Sequence, residues 1–326
     1  MSITCCFYRL RPFISAYTLT AISVFQEANA NLPQKASITV NRRDHFLDVS
    51  PPIFTAKAVM LFDAHTGATL FRQNETQPRQ VASTQKLLTA LIIAENGDLD
   101  KSIVIKRSDT MEPPLKLGLR PGETYTRRTL LTVMLMKSAN DVAAALARDN
   151  ASSAAAFAEK MNRRMVELHG NASHFANPNG LPLSGQYSTA RDMAFVARAV
   201  YAHPLLRGIV NCRTYHFRFN NGKIRMLCNT NCLLKYSFCN GMKTGYTRGA
   251  GHCLIASGKW KEKEVIAVVL GVSVRSRIWE EAQSLLTYGL GMRPEEIAAT
   301  RLASAPRTTN TACLAIIKPR RVLGRG

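Results

Sequence analysis

Strand-like and helix-like stretches are unevenly placed along this chain, and their placement leaves few folds open. Ala56–Asp63 is apolar at strand length, Ala64-His65-Thr66-Gly67 has turn chemistry, and Ala68–Arg72 continues as a hairpin partner. Near the other end, Gly251–Ser257 and Val265–Val272 form a second strand-like pair around the polar turn Lys259–Lys263. Between these pairs lie segments rich in good helix formers: Ser83–Asn96, Arg128–Met136, Asp141–Arg148, Ser153–His169 and Thr189–Tyr201. The first carries its apolar face on Leu87, Leu88, Leu91 and Ile92 and is stopped by Gly97. A last helix is expected at Ile278–Tyr288. The fold class read from this order is α+β. One antiparallel sheet is formed from both chain termini and flanked by helices, with a mostly helical inserted subdomain.

The two ends differ from this middle. Arg9 and Arg11 precede a largely apolar, uncharged stretch from Phe13 to Phe25, and Ala28-Asn29-Ala30 places small residues where a signal peptidase reads them. The expected organisation is a signal peptide over residues 1–30, a linker over 31–54, one domain over 55–292 and a basic, poorly ordered tail over 293–326. Export to the periplasm or the outer face of the cytoplasmic membrane follows. The run Ala312–Ile317, followed by Lys318, Arg320 and Arg321, offers a weak peripheral membrane contact and leaves the question of anchoring open.

Lys and Arg number 43 against 22 acids, a net charge of +21, or +20 without the first thirty residues and their two Arg and one Glu. The cations are spread along the chain, with no helix-turn-helix, zinc-finger or aromatic-basic RNA-binding pattern, so no nucleic acid partner is expected. An anionic cell envelope accounts for the charge equally well. Export makes disulfides permissible among Cys212, Cys228, Cys232, Cys239, Cys253 and Cys313. Six cysteines allow about 15 pairings, and nothing chooses among them. Cys228, Cys232 and Cys239 lack the second close pair or the His partners of a zinc site. No His-Glu-x-x-His pattern occurs either, so neither a metal nor a cofactor is expected.

Three short patterns carry chemistry, in the order Ser83-Thr84-Gln85-Lys86, Ser138-Ala139-Asn140 and Lys243-Thr244-Gly245. Alone, Ser-x-x-Lys and Ser-x-Asn are weak signals, each expected about once by chance, while Lys-Thr/Ser-Gly is rarer. Context sharpens them. Ser83 opens a predicted helix, so Lys86 stands one turn on along the same face, where an amine can take a hydroxyl proton. Ser138-Ala139-Asn140 joins two helices, where side chains can project into a cleft. Lys243-Thr244-Gly245 is expected to begin a strand, and its glycine permits a close backbone approach by a ligand.

Together these motifs resemble those of the active-site serine penicillin-recognising enzymes. Asp63-Ala64-His65-Thr66-Gly67, Ala82-Ser83, Gly97-Asp98-Leu99-Asp100, Leu119-Arg120-Pro121-Gly122-Glu123, His174-Phe175-Ala176-Asn177-Pro178-Asn179-Gly180-Leu181 and Lys243-Thr244-Gly245-Tyr246-Thr247 look like the D-alanyl-D-alanine carboxypeptidases. These are the low-molecular-mass penicillin-binding proteins that trim peptidoglycan stem peptides. The resemblance runs from about Ala56 to Tyr288 and implies a fold like that of the serine β-lactamases and DD-peptidases. It also implies that Ser83 attacks the carbonyl between two terminal D-alanines, with Lys86 as base. Ser138 would relay a proton toward the leaving amine, and Asn140 would hold the substrate amide and orient Lys86. Lys243 and Thr244 would bind the terminal carboxylate beside Gly245, and the backbone N–H groups of Ser83 and Tyr246 would form the oxyanion hole. Arg277 is expected to assist carboxylate binding, with Arg275 as its competitor. The implied partners are stem peptides ending in D-Ala-D-Ala, with β-lactams as covalent inhibitors.

Gln85 stands where the family more often has Thr, and Ala139 where it more often has Gly. The rival enzymes are a D-alanyl endopeptidase and a β-lactamase. The latter needs a carboxylate to activate water, for which Glu167 in Glu167-Leu168-His169-Gly170-Asn171 is the candidate by letters. Glu167 falls on an amphipathic helix, which suits a solvated carboxylate better. A non-catalytic cell-wall binder would have no need of Ser83, Lys86 and Ser138.

Overall fold

The computed structural model describes residues 51–302. The expected signal peptide, nearly all of the linker, Cys313 and the Ala312–Ile317 run lie outside the described residues. Strands β1 (Ala58–Asp63) and β2 (Thr69–Gln73) form a hairpin. Helix α1 (Lys86–Glu95) follows, then the small antiparallel pair of β3 (Ser102–Val104) and β4 (Thr124–Thr126). Helices α2 (Arg127–Lys137), α3 (Asn140–Ala151), α4 (Ala154–Glu167), α5 (Ala190–Ala202) and α6 (Pro204–Asn211) come next. A second small pair is made by β5 (Thr214–Arg218) and β6 (Ile224–Cys228). The chain then returns through β7 (Cys239–Thr247), β8 (Gly251–Trp260) and β9 (Lys263–Val272) before α7 (Arg277–Leu290) and α8 (Pro294–Ala299). The main sheet has the order β2-β1-β9-β8-β7. Its neighbouring strands are all antiparallel, and β1 lies against β9 with Ala58 opposite Leu270 and Asp63 opposite Val265. The α+β fold with a sheet built from both ends of the domain is the one expected.

The sheet is covered on both faces, and β9 shows why its sequence runs apolar rather than alternating. Ile266, Val268 and Leu270 point into a core shared with α1 and the helical subdomain, while Val265, Ala267, Val269 and Val272 pack against Ile278, Ala282, Leu285 and Leu286 of α7. Helix α1 runs through the helical core with Lys86 to Ile93 all buried, so its sequence is apolar around nearly its whole circumference. Side-chain caps set other helix starts: Thr126, Ser153 and Thr189 accept from the backbone N–H groups of Thr129, Ala156 and Asp192.

Several boundaries differ from expectation. The helix expected from Ser83 begins with a 3₁₀ turn, Ala82–Gln85, and becomes α-helical at Lys86. The motif Lys243-Thr244-Gly245 lies in the second half of β7 instead of opening it. Part of the expected tail is structured. Residues 294–299 form α8, and Arg301 bridges to Tyr236. At the other end Phe54 is buried against Phe71, ring centroids 5.1 Å apart, and Ala56 N donates to Glu281 Oε2 at 3.0 Å, which tie the entering chain to β2 and α7. Cys228, Cys232, Cys239 and Cys253 are free thiols. Among the described residues no helix is long and apolar enough to cross a membrane.

Candidate active site

The site is built where the turn before α1, the end of α2, strand β7 and the loop over residues 177–181 meet. Ala82 has a positive φ of 49°, which turns the chain sharply into the 3₁₀ turn and presents Ser83 at the start of a buried helix. Two glycines let backbone close over that turn. Gly180 has φ of 82°, and a Cβ there would collide with the carbonyl oxygen of Ala82; a Cβ on Gly245 would lie 2.9 Å from Ser83 N. Ser83 Oγ is 2.9 Å from Lys86 Nζ and 3.3 Å from the carbonyl oxygen of Asn179, to which it donates.

Lys86 is fully buried and its Nζ meets three oxygens: Ser83 Oγ, Asn140 Oδ1 at 2.8 Å and Asn179 O at 2.5 Å. A neutral amine has two hydrogens and one lone pair. Asn140 Oδ1 and Asn179 O can only accept, so when the Ser83 hydroxyl turns its hydrogen from Asn179 O to Nζ, those two oxygens still hold both hydrogens of the neutral amine. Burial, and then the neighbouring Lys243, hold the Lys86 pKa well below its usual value, while Glu112 works in the opposite sense. The arrangement is that of a serine activated by an adjacent amine base.

Ser138 and Asn140 flank the other side. Ser138 ends α2 in a left-handed conformation, φ 61°, which turns its side chain toward the cleft. It is 4% exposed, and its Oγ has no hydrogen-bond partner among the described residues. Asn140 opens α3, with Nδ2 donating to Pro113 O at 3.3 Å and Pro114 O at 2.7 Å. Both of its amide hydrogens are thus spent on the protein, and orienting Lys86 is the role its geometry supports.

Strand β7 forms the opposite wall. A bulge between Cys239 and Gly241, with positive φ at Gly241 (94°) and Met242 (92°), re-aims the strand just before Lys243. Lys243 is fully buried, donates to Thr244 O at 2.8 Å, and has its pKa drawn down to about 7 by burial. It stands behind the cleft wall, so its charge reaches the cleft through the strand and not by contact. Thr244, Gly245 and Tyr246 do line the cleft, whose volume is about 520 Å³. Thr244 Oγ1 lies 2.7 Å from Thr230 Oγ1, and the Tyr246 ring stacks on His252 at 4.4 Å. Among the described residues four cations, Lys116, Lys137, Arg225 and Arg275, line this cleft and no carboxylate does.

The family model described as D-alanyl-D-alanine carboxypeptidase, peptidase S11, matches residues 46–274. The chain belongs to this family of serine peptidases. The D-alanyl-D-alanine carboxypeptidase DacF of Bacillus subtilis is 35% identical over 67% of this chain and 58% of its own length. DacD of Escherichia coli, also a D-alanyl-D-alanine carboxypeptidase, is 32% identical over 73% of this chain and 64% of its own. This chain therefore spans less than two thirds of either relative. Among solved structures, a D-alanyl-D-alanine carboxypeptidase from Mycobacterium tuberculosis superposes with a TM-score of 0.71 at 28% identity, covering 76% of this chain and 95% of its own.

Within this S11 chain the structure brings Ser83, Lys86, Ser138 and Asn140 together with Thr244, Gly245 and Tyr246, and it separates the two candidate arginines. Arg275, not Arg277, lines the cleft. Arg277 is the first residue of α7, and only Arg275, in the turn after β9, faces His252, whose pKa burial and that guanidinium lower. Glu167, the letter match for a water-activating carboxylate, is 61% exposed and pairs with Arg164 at 2.9 Å on the outside of α4, away from the cleft. Gln85 substitutes for the commoner Thr by a different packing. It is buried, and its Nε2 donates to Asn177 O at 2.6 Å, anchoring the loop whose Asn179 carbonyl meets Lys86. The residues that sequence reasoning missed are Asn179, Thr230 and Glu112. Asn179 acts through a main-chain oxygen, which leaves no side-chain signature, though it does fall inside the family-like run His174–Leu181.

Proposed function

We propose that this chain is a serine-type D-Ala-D-Ala carboxypeptidase that removes the terminal D-alanine from peptidoglycan stem peptides. The observation that carries this reading is the Ser83–Lys86 contact at 2.9 Å, with Asn140 Oδ1 and Asn179 O placed to take both hydrogens of the neutral amine. Lys86 takes the hydroxyl proton as Ser83 Oγ attacks the carbonyl of the penultimate D-alanine. The tetrahedral oxyanion is received by the backbone N–H groups of Ser83 and Tyr246. Ser138 Oγ, buried and without a hydrogen-bond partner among the described residues, takes that proton from Lys86 as it gives its own to the departing D-alanine amine. The acyl ester on Ser83 is then hydrolysed by water. Thr244 and Arg275 hold the substrate's terminal carboxylate, and Lys243 adds positive charge from behind the wall. A cleft lined by cations and no carboxylate fits a peptide that ends in a carboxylate.

A β-lactam enters the same path and stays on Ser83. In this reading the protein works after export, in the periplasm or at the outer face of the cytoplasmic membrane, with residues 1–30 as its signal peptide and at most a peripheral membrane contact. Fluorescent-penicillin labelling followed by intact mass, beside D-alanine release from a pentapeptide, tests it on wild type and Ser83→Ala. We expect one stable adduct and D-alanine release from wild type and neither from the variant. A folded wild-type protein that forms no adduct would sink the acyl-enzyme mechanism. Rapid shedding of the label would favour a β-lactamase, and cleavage of a crosslinked dimer without D-alanine release an endopeptidase.

A further inference from the structure

The two acceptors that fix Lys86 are both held by one short strap outside every motif. Asn140 receives it three times: Nδ2 donates to Pro113 O and Pro114 O, and its backbone N donates to Leu115 O at 2.9 Å. Asn179 is held at the other end, where its Nδ2 donates to Glu112 Oε2 at 2.9 Å while its carbonyl accepts from Lys86. Leu115, with φ of 58°, turns the strap so that Glu112 reaches one partner of the amine and residues 113–115 the other. Asn179 is 2% exposed; its Oδ1 accepts from Leu181 N at 2.9 Å, and its buried Nδ2 has the Glu112 carboxylate as its partner.

We infer that Glu112 is a positioning residue for Lys86: through Asn179 it fixes one acceptor of the amine, and its charge balances the ammonium that forms when Ser83 is deprotonated. The inference deepens the carboxypeptidase reading and rests on it for the catalytic step. Two charged side chains act on Lys86. Lys243 from β7 opposes a positive charge there, and Glu112 from the strap favours it. Lys116 and Lys137 line the cleft in front of Ser83. Burial and Lys243 lower the basicity of the amine, and the carboxylate opposes them in part without entering the cleft.

The test is a direct titration of Lys86 by ¹³Cε-lysine NMR, with its signal assigned by loss in Lys86→Met, beside acylation by benzylpenicillin from acid to alkaline pH. Glu112→Gln keeps an acceptor for Asn179 Nδ2 and removes only the charge. We expect the Lys86 titration and the acid limb of acylation to move to lower pH, and the plateau rate to fall about tenfold. Glu112→Asp should return both toward wild type. An unmoved Lys86 titration in Glu112→Gln would overturn the inference, whatever the rate does. Equal shifts in the Gln and Asp variants would overturn it too, because shape and not charge would then be what Lys86 feels. The NMR titration needs no turnover, so a wild type that releases no D-alanine would sink the carboxypeptidase reading and leave this result to be judged by itself.

Discussion

Replacing Lys243 with Met should stabilise the protein by an amount that shrinks as pH rises. Lys243 is fully buried in β7, and burial draws its pKa from 10.5 to about 7. Between those values the unfolded chain carries a proton at this position that the folded chain has released. Unfolding stability therefore rises with pH across that window, with a limiting slope of about 1.4 kcal/mol per pH unit for one proton. From pH 7 to pH 9 the wild type should gain about 2 kcal/mol from this group, starting from half-titration. Lys243→Met lacks the gain, keeps a side chain of similar reach, and loses the bond to Thr244 O, which adds an offset independent of pH. The buried thiols Cys239 and Cys253, with pKa values pushed up to about 12 and about 11, lower stability above pH 9 in both proteins and cancel in the difference. The assay is urea unfolding of both proteins at pH 7, 8 and 9. A difference in unfolding free energy that stays constant within about 0.5 kcal/mol over this range would refute the placement of a buried, titrating ammonium behind the cleft.

Arg275→Ala should raise KM for a D-Ala-D-Ala peptide by about tenfold, the scale of one charge-assisted hydrogen bond, while Arg277→Ala should change it less than about threefold. Steady-state kinetics with the pentapeptide decides between them, and the reverse ranking would return the carboxylate to Arg277. Gly180→Ala introduces a Cβ against the Ala82 carbonyl at a residue with φ of 82°. It should cost about 2 kcal/mol or more in unfolding free energy and slow penicillin acylation, because the only escape is for the loop to move off Ser83. Full stability in this variant would mean that the loop is not seated on the nucleophile turn.

How far the sequence reached depends on whether a feature is carried by a side chain's identity or by where the backbone goes. The sheet was legible because β9 and β1 must be apolar on both faces to sit between α1 and α7, and no other arrangement of Val265–Val272 buries both sets. Ser83, Lys86 and Ser138 were legible because the chemistry tolerates few substitutes for a hydroxyl and an amine one helical turn apart. Lys243 was legible as a residue but not as a buried one. Its orientation is set just before it, by a bulge between Cys239 and Gly241 and a positive φ at Met242, a residue type that gives no warning of either. Arg275 and Arg277 differ only in where the turn after β9 yields to α7, and helix starts are the least legible boundaries in any sequence. Glu112 was out of reach altogether, since nothing local marks it. It matters because the strap passes between residues 140 and 179, far apart in sequence, and holds both by their amides. In the mechanism proposed above, the motifs name the groups that react. What would make Lys86 its base is the placement of two carbonyl-type oxygens, Asn140 Oδ1 and Asn179 O, and that placement is decided by segments whose own sequences carry no catalytic signature.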